Sequence, residues 1–290
     1  MDLGLFTLNF GNIARYFNKK NIVLIIFLGI AGNHSSAQIY NPKPEIRDVK
    51  IKGILFDKTK IAFSIIPDFS FPMNIRYILG KYNLHSYSKL GFEGGVNIIK
   101  DIGDKFGLQT GINFNLVPLN IWFSIPSKDL NLPPSWGKTF DYNWTYFDLI
   151  NFSIPIMLER LYKLNDQFVM FVSSGFTFRF AIPYMNSYFV DYYADNANQG
   201  EVFRLNMQDG NNGKPWMCLN VGIGAYKIFN CGNMLKLGLI VNYSLKNYAN
   251  GSYNFNTKYG STTGTCSING SYIGLELAYV FNKNKKKVIH

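Results

Sequence analysis

Residues 271 to 281, SYIGLELAYVF, alternate between two kinds of side chain. Because successive side chains of a strand point to opposite faces, a strand here has one face of large apolar residues and one that contains Gly and Glu. The apolar face consists of Ile273, Leu275, Leu277, Tyr279 and Phe281, and the other face of Tyr272, Gly274, Glu276, Ala278 and Val280. A period of two over this length predicts a β-strand.

The same alternation recurs along the chain. In residues 168 to 180, for example, Phe176 and Phe178 alternate with Thr177 and Arg179. The alternating segments are 58 to 66, 90 to 98, 106 to 116, 145 to 160, 168 to 180, 216 to 226, 234 to 247 and 271 to 281. They predict eight strands.

The two faces of these segments indicate a membrane rather than water as the surroundings. A soluble sandwich or barrel packs its large apolar side chains inward and exposes polar ones, and its strands are mostly about five or six residues long. These segments approach the nine to eleven residues or so that a tilted membrane strand needs. In a membrane barrel the apolar faces contact lipid, and the faces with Gly, Asn and charged residues fill the lumen.

The connections between the segments alternate between long and short. Long connections span 67 to 87, 118 to 144, 182 to 214 and 248 to 270, and short ones span 100 to 105, 161 to 167 and 230 to 233. Outer-membrane barrels have long outer loops and short periplasmic turns. The sequence therefore predicts an all-β fold, an eight-stranded antiparallel transmembrane β-barrel over residues 58 to 281.

Composition agrees with this prediction and adds an export signal. Only 16% of the residues are charged, whereas a soluble protein has about 25%. The longest apolar run, 21 to 32, is too short to cross a bilayer. Basic residues precede it and Ser35 and Ala37 follow it, which is the pattern of a cleaved signal peptide over 1 to 37. We expect 38 to 57 to be a periplasmic N-terminal segment and 282 to 290 a basic tail.

Residues 149 to 162, LINFSIPIMLERLY, carry a family resemblance. They resemble the outer-membrane β-barrel domain of Bacteroidetes, the family that includes the PorT-type proteins, whose members show Ile-Pro-Leu-Leu-Leu and then a basic residue. The match consists of Ile154, Pro155, Ile156, Met157, Leu158 and Arg160. The resemblance implies an outer-membrane location and a role in secretion or envelope maintenance. The tail after Phe281 departs from the family pattern, in which the terminal aromatic residue ends the chain.

Pro155 interrupts one of the predicted strands. Proline has no N–H to donate to a strand ladder, so within sheets it is found at edges and bulges. We predict a β-bulge at Pro155 that bends this strand.

Charged residues on the predicted inner faces are the candidates for a functional site. They are Glu93, Glu159, Arg179, Lys236, Lys246 and Glu276. They could form an ion path, or ion pairs that close the lumen. An eight-stranded barrel leaves space only for side chains, which favours ion pairs.

The sequence indicates no catalytic, cofactor or metal site. The three cysteines, Cys218, Cys231 and Cys266, form no CxxC pair, and export would permit one disulfide among them. His85 lies in a predicted outer loop, and no GxSxG motif is present. The net charge of +11 could attract nucleic acid, but an exported chain with a basic tail is better explained by solvent or anionic lipid. We expect a non-enzymatic protein, and a lipid-modifying enzyme or a small-solute porin are the alternatives.

The predicted outer loops are rich in Trp, Tyr and Phe, and 182 to 214 is the longest of them. Loops longer than about 12 to 15 residues are usually functional or disordered, and disordered segments are poor in aromatic residues. Part of this aromatic content fits a girdle at the membrane interface. The remainder predicts a surface that recognises a protein or a glycan. For a protein partner, the family resemblance suggests a component of the secretion or envelope machinery.

Overall fold

The computed structural model describes residues 59–102, 105–130, 137–181, 185–194, 198–211 and 213–282. The signal peptide, the segment 38 to 57 and the tail after Asn282 lie outside these residues. The described residues form thirteen strands. In chain order these are β1 Lys60–Ser70, β2 Asn74–Leu79, β3 Lys89–Ile102, β4 Phe106–Pro126, β5 Thr139–Lys163, β6 Phe168–Ala181, β7 Met185–Ala194, β8 Asn198–Asp209, β9 Trp216–Ile228, β10 Met234–Ser244, β11 Ala249–Thr257, β12 Gly260–Ile268 and β13 Tyr272–Phe281.

Eight of these strands close into an antiparallel barrel, in the order β1-β13-β10-β9-β6-β5-β4-β3. They are the eight strands that the alternating segments predict, so the predicted fold class is confirmed. The first and last strands of the barrel pair directly, with Ile61 opposite Phe281 and Ser70 opposite Tyr272. Three short turns join β3 to β4, β5 to β6 and β9 to β10 at one end of the barrel, which we call the turn end. Among the described residues, no helix is long and apolar enough to cross a membrane.

The two faces of the barrel strands follow the predicted alternation. In β13, Tyr272, Gly274, Glu276, Ala278 and Val280 are buried, and Leu275, Tyr279 and Phe281 are exposed. β1 and β10 show the same pattern of buried and exposed positions. The inner face includes polar and small residues because the lumen is narrow, and the outer face is uniformly apolar.

Among the described residues, most of the connections at the other end of the barrel are folded into strands. β2, β12, β11, β8 and β7 make a second antiparallel sheet in that order. β4 and β5 extend beyond the barrel and remain paired as far as Pro126 and Thr139. We call this second sheet, together with residues 119 to 126 of β4 and 139 to 146 of β5, the cap.

The cap has its own aromatic core, between the extended β4–β5 hairpin and the second sheet. The ring of Phe123 on β4 lies 4.9 Å from the rings of Phe203 on β8 and Phe255 on β11, and 5.2 Å from that of Tyr142 on β5. Elsewhere in this core, the ring of Tyr146 on β5 lies 4.5 Å from that of Tyr188 on β7. Part of the aromatic content of these connections therefore forms a packed core, whereas other aromatic residues, such as Phe189 and Tyr259, are exposed.

One face of β4 passes from the barrel into the cap without interruption. Within the barrel this face carries Gln109, Asn113 and Asn115, and beyond Pro118 it carries Leu119, Phe123 and other apolar residues. The register between β4 and β5 shifts by one residue between Val117 and Leu119. This bulge marks the point where the polar lumen ends and the apolar core of the cap begins.

The predicted bulge at Pro155 is wrong. The β4–β5 pairing skips the positions around Pro155 but resumes in the same register, with Thr110 opposite Ile156 and Asn113 opposite Ser153. On its other side Pro155 pairs with Thr177 of β6. The proline therefore removes a local hydrogen bond without inserting an extra residue.

Candidate functional site

Lys236 is the centre of a buried polar cluster in the lumen. Its Nζ donates to Glu159 Oε1 at 2.6 Å, to Glu276 Oε1 at 2.8 Å and to Gln109 Oε1 at 2.7 Å. The same nitrogen lies 4.7 Å from the centre of the Phe171 ring. β10, β5, β13 and β4 each supply one polar member, so the cluster ties together strands on opposite sides of the barrel.

Glu93 and Arg179 form a second cluster, nearer the cap. Arg179 Nη2 donates to Glu93 Oε2 at 3.1 Å, and Tyr272 Oη donates to the same oxygen at 3.0 Å. The amides of Asn113 and Asn115 donate to Glu93 at 2.9 and 3.2 Å. Glu93 is therefore neutralised by one base and surrounded by donors, as a buried carboxylate requires.

Arg179 also links the barrel to the cap. It is fully buried, and its Nη1 donates to the carbonyl oxygen of Gly270, between β12 and β13, at 3.1 Å. Above it, Tyr248 Oη donates to the carbonyl oxygen of Ile150 at 3.2 Å, and the Trp216 and Tyr248 rings lie 5.4 Å apart. These contacts close the mouth of the barrel beneath the cap.

The structure thus brings five of the six predicted residues into two clusters, but Lys246 lies outside the lumen. β10 ends at Ser244, and Lys246 is exposed, with its Nζ 3.3 Å from Asn211 Oδ1. The predicted alternation continued past the end of the strand, where the chain turns away from the barrel.

The lumen also contains charged residues that the sequence analysis missed. Lys60 and Asp101 form a buried ion pair of 2.6 Å near the turn end. Asp68 is buried on β1, where Ser70 Oγ donates to its Oδ1 at 3.0 Å. Lys60 and Asp68 share the inward face of β1 with Ser64. Lys60 lies within the predicted segment 58 to 66 but is not counted among its inward charges, and a later end for that segment would have added Asp68.

Side chains fill the lumen from end to end. Towards the turn end it is blocked by an apolar layer that includes Ala62, Val169, Phe171, Ile228 and Val280. A cavity of about 20 Å³ lies between the two polar clusters, enough for about one water molecule. This packing favours a lumen closed by ion pairs over an ion path.

The outside of the barrel is a continuous apolar belt. Its exposed residues include Phe63, Ile65, Val96, Ile112, Phe152, Ile156, Phe176, Ile223, Leu237, Leu239 and Leu275. An exposed apolar surface that encircles a protein is far larger than the patches of soluble monomers. Lipid is the environment in which such a belt is stable.

Substitution in this belt tests its contact with lipid. Leu239 lies at the middle of β10 and is 56% exposed. We expect Leu239→Arg to lower the free energy of unfolding from lipid vesicles by about 2 to 4 kcal/mol, because arginine is costly near the bilayer midplane. Leu245→Arg, just beyond the cap end of the same strand, is the control, with an expected cost of about 0 to 1 kcal/mol. Equal costs in urea titrations of the two variants would contradict a lipid-facing belt.

The end of the cap farthest from the barrel carries a cluster of lysines, which we call the distal tip. Its exposed basic residues are Lys81, Lys128, Lys138 and Lys258, and they come from three different connections. Tyr259, 69% exposed, lies among them, with the Nζ of Lys258 and of Lys81 at 4.9 and 5.8 Å from its ring centre. Cations over an aromatic face are mutually favourable.

Asp129 holds these connections together. Its side chain is buried and accepts hydrogen bonds from Tyr82 Oη and, at 3.1 Å, from Lys81 Nζ. Its carbonyl oxygen accepts from the backbone N–H of Lys258 at 3.0 Å. The Tyr82 hydrogen bond, followed by Lys81, lowers the pKa of Asp129 below its usual value. The carboxylate is therefore charged at neutral pH and holds the Lys81 side chain at the tip.

His85, the one histidine among the described residues, lies at the side of the cap. Its backbone pairs with that of Trp122 in an isolated bridge, and the two rings are 4.7 Å apart. His85 thus attaches the segment between β2 and β3 to the edge of β4. Cys218 and Cys266 are buried free thiols, and Cys231 is an exposed free thiol at the turn end.

No protein-family model and no curated protein matches the chain. Among solved structures, the chain is similar to a major outer membrane protein from Thermus thermophilus, with 13% identity, a TM-score of 0.36 and coverage of 78% of this chain and 100% of the other. It is also similar to the outer membrane protease OmpT from Escherichia coli, with 8% identity, a TM-score of 0.32 and coverage of 78% and 98%. At such low scores these similarities carry no inference about function, and the fold assignment rests on the strand pairing and faces described above.

Proposed function

We propose that the protein is a non-enzymatic outer-membrane barrel that holds a folded cap outside the cell for contact with a partner. The observation that carries this proposal is the packing of the connections into a cap over a filled lumen. A porin needs an open lumen, whereas here the ion pairs and the cap occupy the space that a solute would cross. The apolar belt supports insertion in the lipid bilayer, and the alternation of long and short connections supports a cap on the outer side.

The distal tip is the part of the cap best suited to a partner. Lys81 and Lys258 lie beside the exposed ring of Tyr259, and tyrosine is one of the residues enriched at protein interfaces. A positive surface also attracts an acidic partner over a distance of about one Debye length. The resemblance of residues 149 to 162 to the PorT-type family suggests that this partner is a protein of the secretion or envelope machinery.

A lipid-modifying enzyme is the second class of function that the sequence allows. We place no catalytic role on His85, because its backbone and ring are engaged with Trp122 on the side of the cap. We accordingly propose no reaction for this chain.

Capture from native membranes tests the proposed function. The parent chain, the tip variant Lys81→Glu/Lys258→Glu, and the control Lys100→Glu/Lys105→Glu, with the same change of charge at the turn end, are each cross-linked in cells and purified. We expect an envelope protein to be enriched with the parent and the control and to fall at least about tenfold with the tip variant, since like charges across an interface repel strongly. Equal enrichment with all three chains would contradict a partner at the distal tip.

A further inference from the structure

The charges buried in the lumen do not balance. Among the described residues, the buried bases are Lys60, Arg179 and Lys236, and the buried acids are Asp68, Glu93, Asp101, Glu159 and Glu276. The pairs Lys60–Asp101 and Arg179–Glu93 are each neutral. Lys236, however, faces two carboxylates, Glu159 and Glu276. A buried charge without compensation is very unfavourable. Five acids against three bases leave two excess negative charges, one at Asp68, where Ser70 Oγ donates to the carboxylate, and one in the group around Lys236. That group needs one further positive charge or a proton.

The two carboxylates around Lys236 are not equivalent. Glu159 accepts from Lys236 at one oxygen and from Tyr226 Oη, at 2.5 Å, at the other. Glu276 accepts from Lys236 and, at 3.5 Å, from Gln109 Nε2, both at Oε1. Both hydrogen bonds to Glu276 thus involve Oε1, and Oε2 is available to bind a further group. Glu276 also lines the cavity of about 20 Å³ in the lumen.

Two asparagines line the same cavity, and each has a side-chain oxygen with no hydrogen-bond partner. These oxygens are Asn97 Oδ1 and Asn113 Oδ1, on residues that are 1% and 4% exposed. The amide nitrogens are already engaged, that of Asn97 with Ser64 Oγ at 2.6 Å and that of Asn113 with Glu93 Oε1 at 2.9 Å. These bonds set the orientation of both amides, so each leaves an oxygen acceptor without a donor.

Glycines make room for these oxygens. A methyl group on Gly95 would overlap Asn113 Oδ1, and one on Gly111 would overlap Asn97 Oδ1. Each glycine lies directly across the β3–β4 pair from the asparagine concerned. The strands are thus shaped to hold both amide oxygens in place.

We propose that the cavity binds one hard monovalent cation of the sodium class, coordinated by Glu276, Asn97 Oδ1 and Asn113 Oδ1. Carboxylate and amide oxygens are the ligands that hard cations take, and the cavity has the volume of a single ion or water molecule. A single positive charge neutralises the group around Lys236. A water molecule could donate to both amides but would leave the charge, and a proton on Glu276 would remove the charge but could satisfy only one amide oxygen.

Stability in different salts tests this site. Because the lumen is closed, the protein is refolded into neutral lipid vesicles separately in sodium chloride and in choline chloride of equal ionic strength, so that screening is the same. We expect the Tm of the parent to be about 3 to 5 °C higher in sodium. Glu276→Gln keeps the shape of the side chain but removes its charge, and its Tm should differ by less than about 1 °C between the two salts. Equal Tm values for the parent in both salts, or an equal sodium effect in the variant, would overturn the proposal.

A second measurement decides the matter even if Glu276→Gln does not fold. Crystals of the parent soaked or grown with thallium(I), a heavy monovalent cation, should show an anomalous peak between Glu276, Asn97 and Asn113. Absence of the peak, or an infrared carbonyl band of a protonated carboxylic acid in the sodium-refolded parent that disappears in Glu276→Gln, would show that a water or a proton occupies the cavity and would overturn the proposal.

Discussion

We expect Lys236→Met to lower the free energy of unfolding by about 3 to 5 kcal/mol, the cost of breaking a buried ion pair by removing one partner. Without the ammonium group, Glu159 and Glu276 are left as two carboxylates in a lumen with no base between them. Methionine has a similar length and fills the space, so the loss is of charge rather than of packing. Urea unfolding from lipid vesicles, followed by tryptophan fluorescence, measures the effect.

Two further variants separate this effect from a general loss of lysine. Lys227→Met, at an exposed position of β9, should change stability by no more than about 0.5 kcal/mol. Adding Glu159→Gln and Glu276→Gln to Lys236→Met removes the stranded charges and should restore most of the lost stability. If Lys236→Met were as stable as the parent, the lumen would have to be wet enough to solvate both carboxylates.

The second large effect is expected in the cap. Phe123 is fully buried and contacts the rings of Phe203, Phe255 and Tyr142. Phe123→Ala should cost about 3 to 5 kcal/mol, since the cavity it leaves cannot be filled by neighbours on paired strands. The barrel, held by its own ladder and by lipid, should remain folded. Limited proteolysis of the vesicle-embedded protein should therefore cut the cap of the variant and spare the barrel strands.

Phe189→Ala is the matched control, because Phe189 also belongs to the cap, on β7 of the second sheet, but is 61% exposed. Its effect should stay within about 0.5 kcal/mol, and its cap should resist the protease as the parent cap does. Equal sensitivity of the two variants would mean that the aromatic residues of the cap do not form a packed core.

The barrel could be predicted from the sequence because each of its strands carries a local signal. Lipid on one side and a crowded lumen on the other select opposite residue types at alternate positions, as in β13. For the same reason the inward positions of Glu93, Glu159 and Glu276 follow from counting along their strands. The partners of these carboxylates cannot be found by such counting, since Lys236 contacts side chains from three other strands that are distant in the chain.

The cap could not be predicted in the same way. β11 and β12, ANGSYNFNT and GSTTGTCSI, contain mainly small and polar residues and show little contrast between faces. β2 pairs with β12, which follows it only after most of the length of the chain, and a pairing over such a distance leaves no local signal in the sequence. The predicted segment 106 to 116 also ends just before Pro118, and proline is rare inside a strand except at edges and bulges. Here it lies opposite a bulge, and the strand continues into the cap.

Labelling of exposed cysteines on intact cells tests most directly which end of the barrel faces the outside of the cell. The native Cys231 is exposed at the turn end, and Tyr259 is exposed at the distal tip. A membrane-impermeant maleimide should label Tyr259→Cys, made in a Cys231→Ser background, on intact cells. It should label the parent at Cys231 only after the outer membrane has been permeabilised. Labelling of Cys231 but not of Tyr259→Cys on intact cells would reverse the orientation, and labelling of both would contradict the membrane barrel itself.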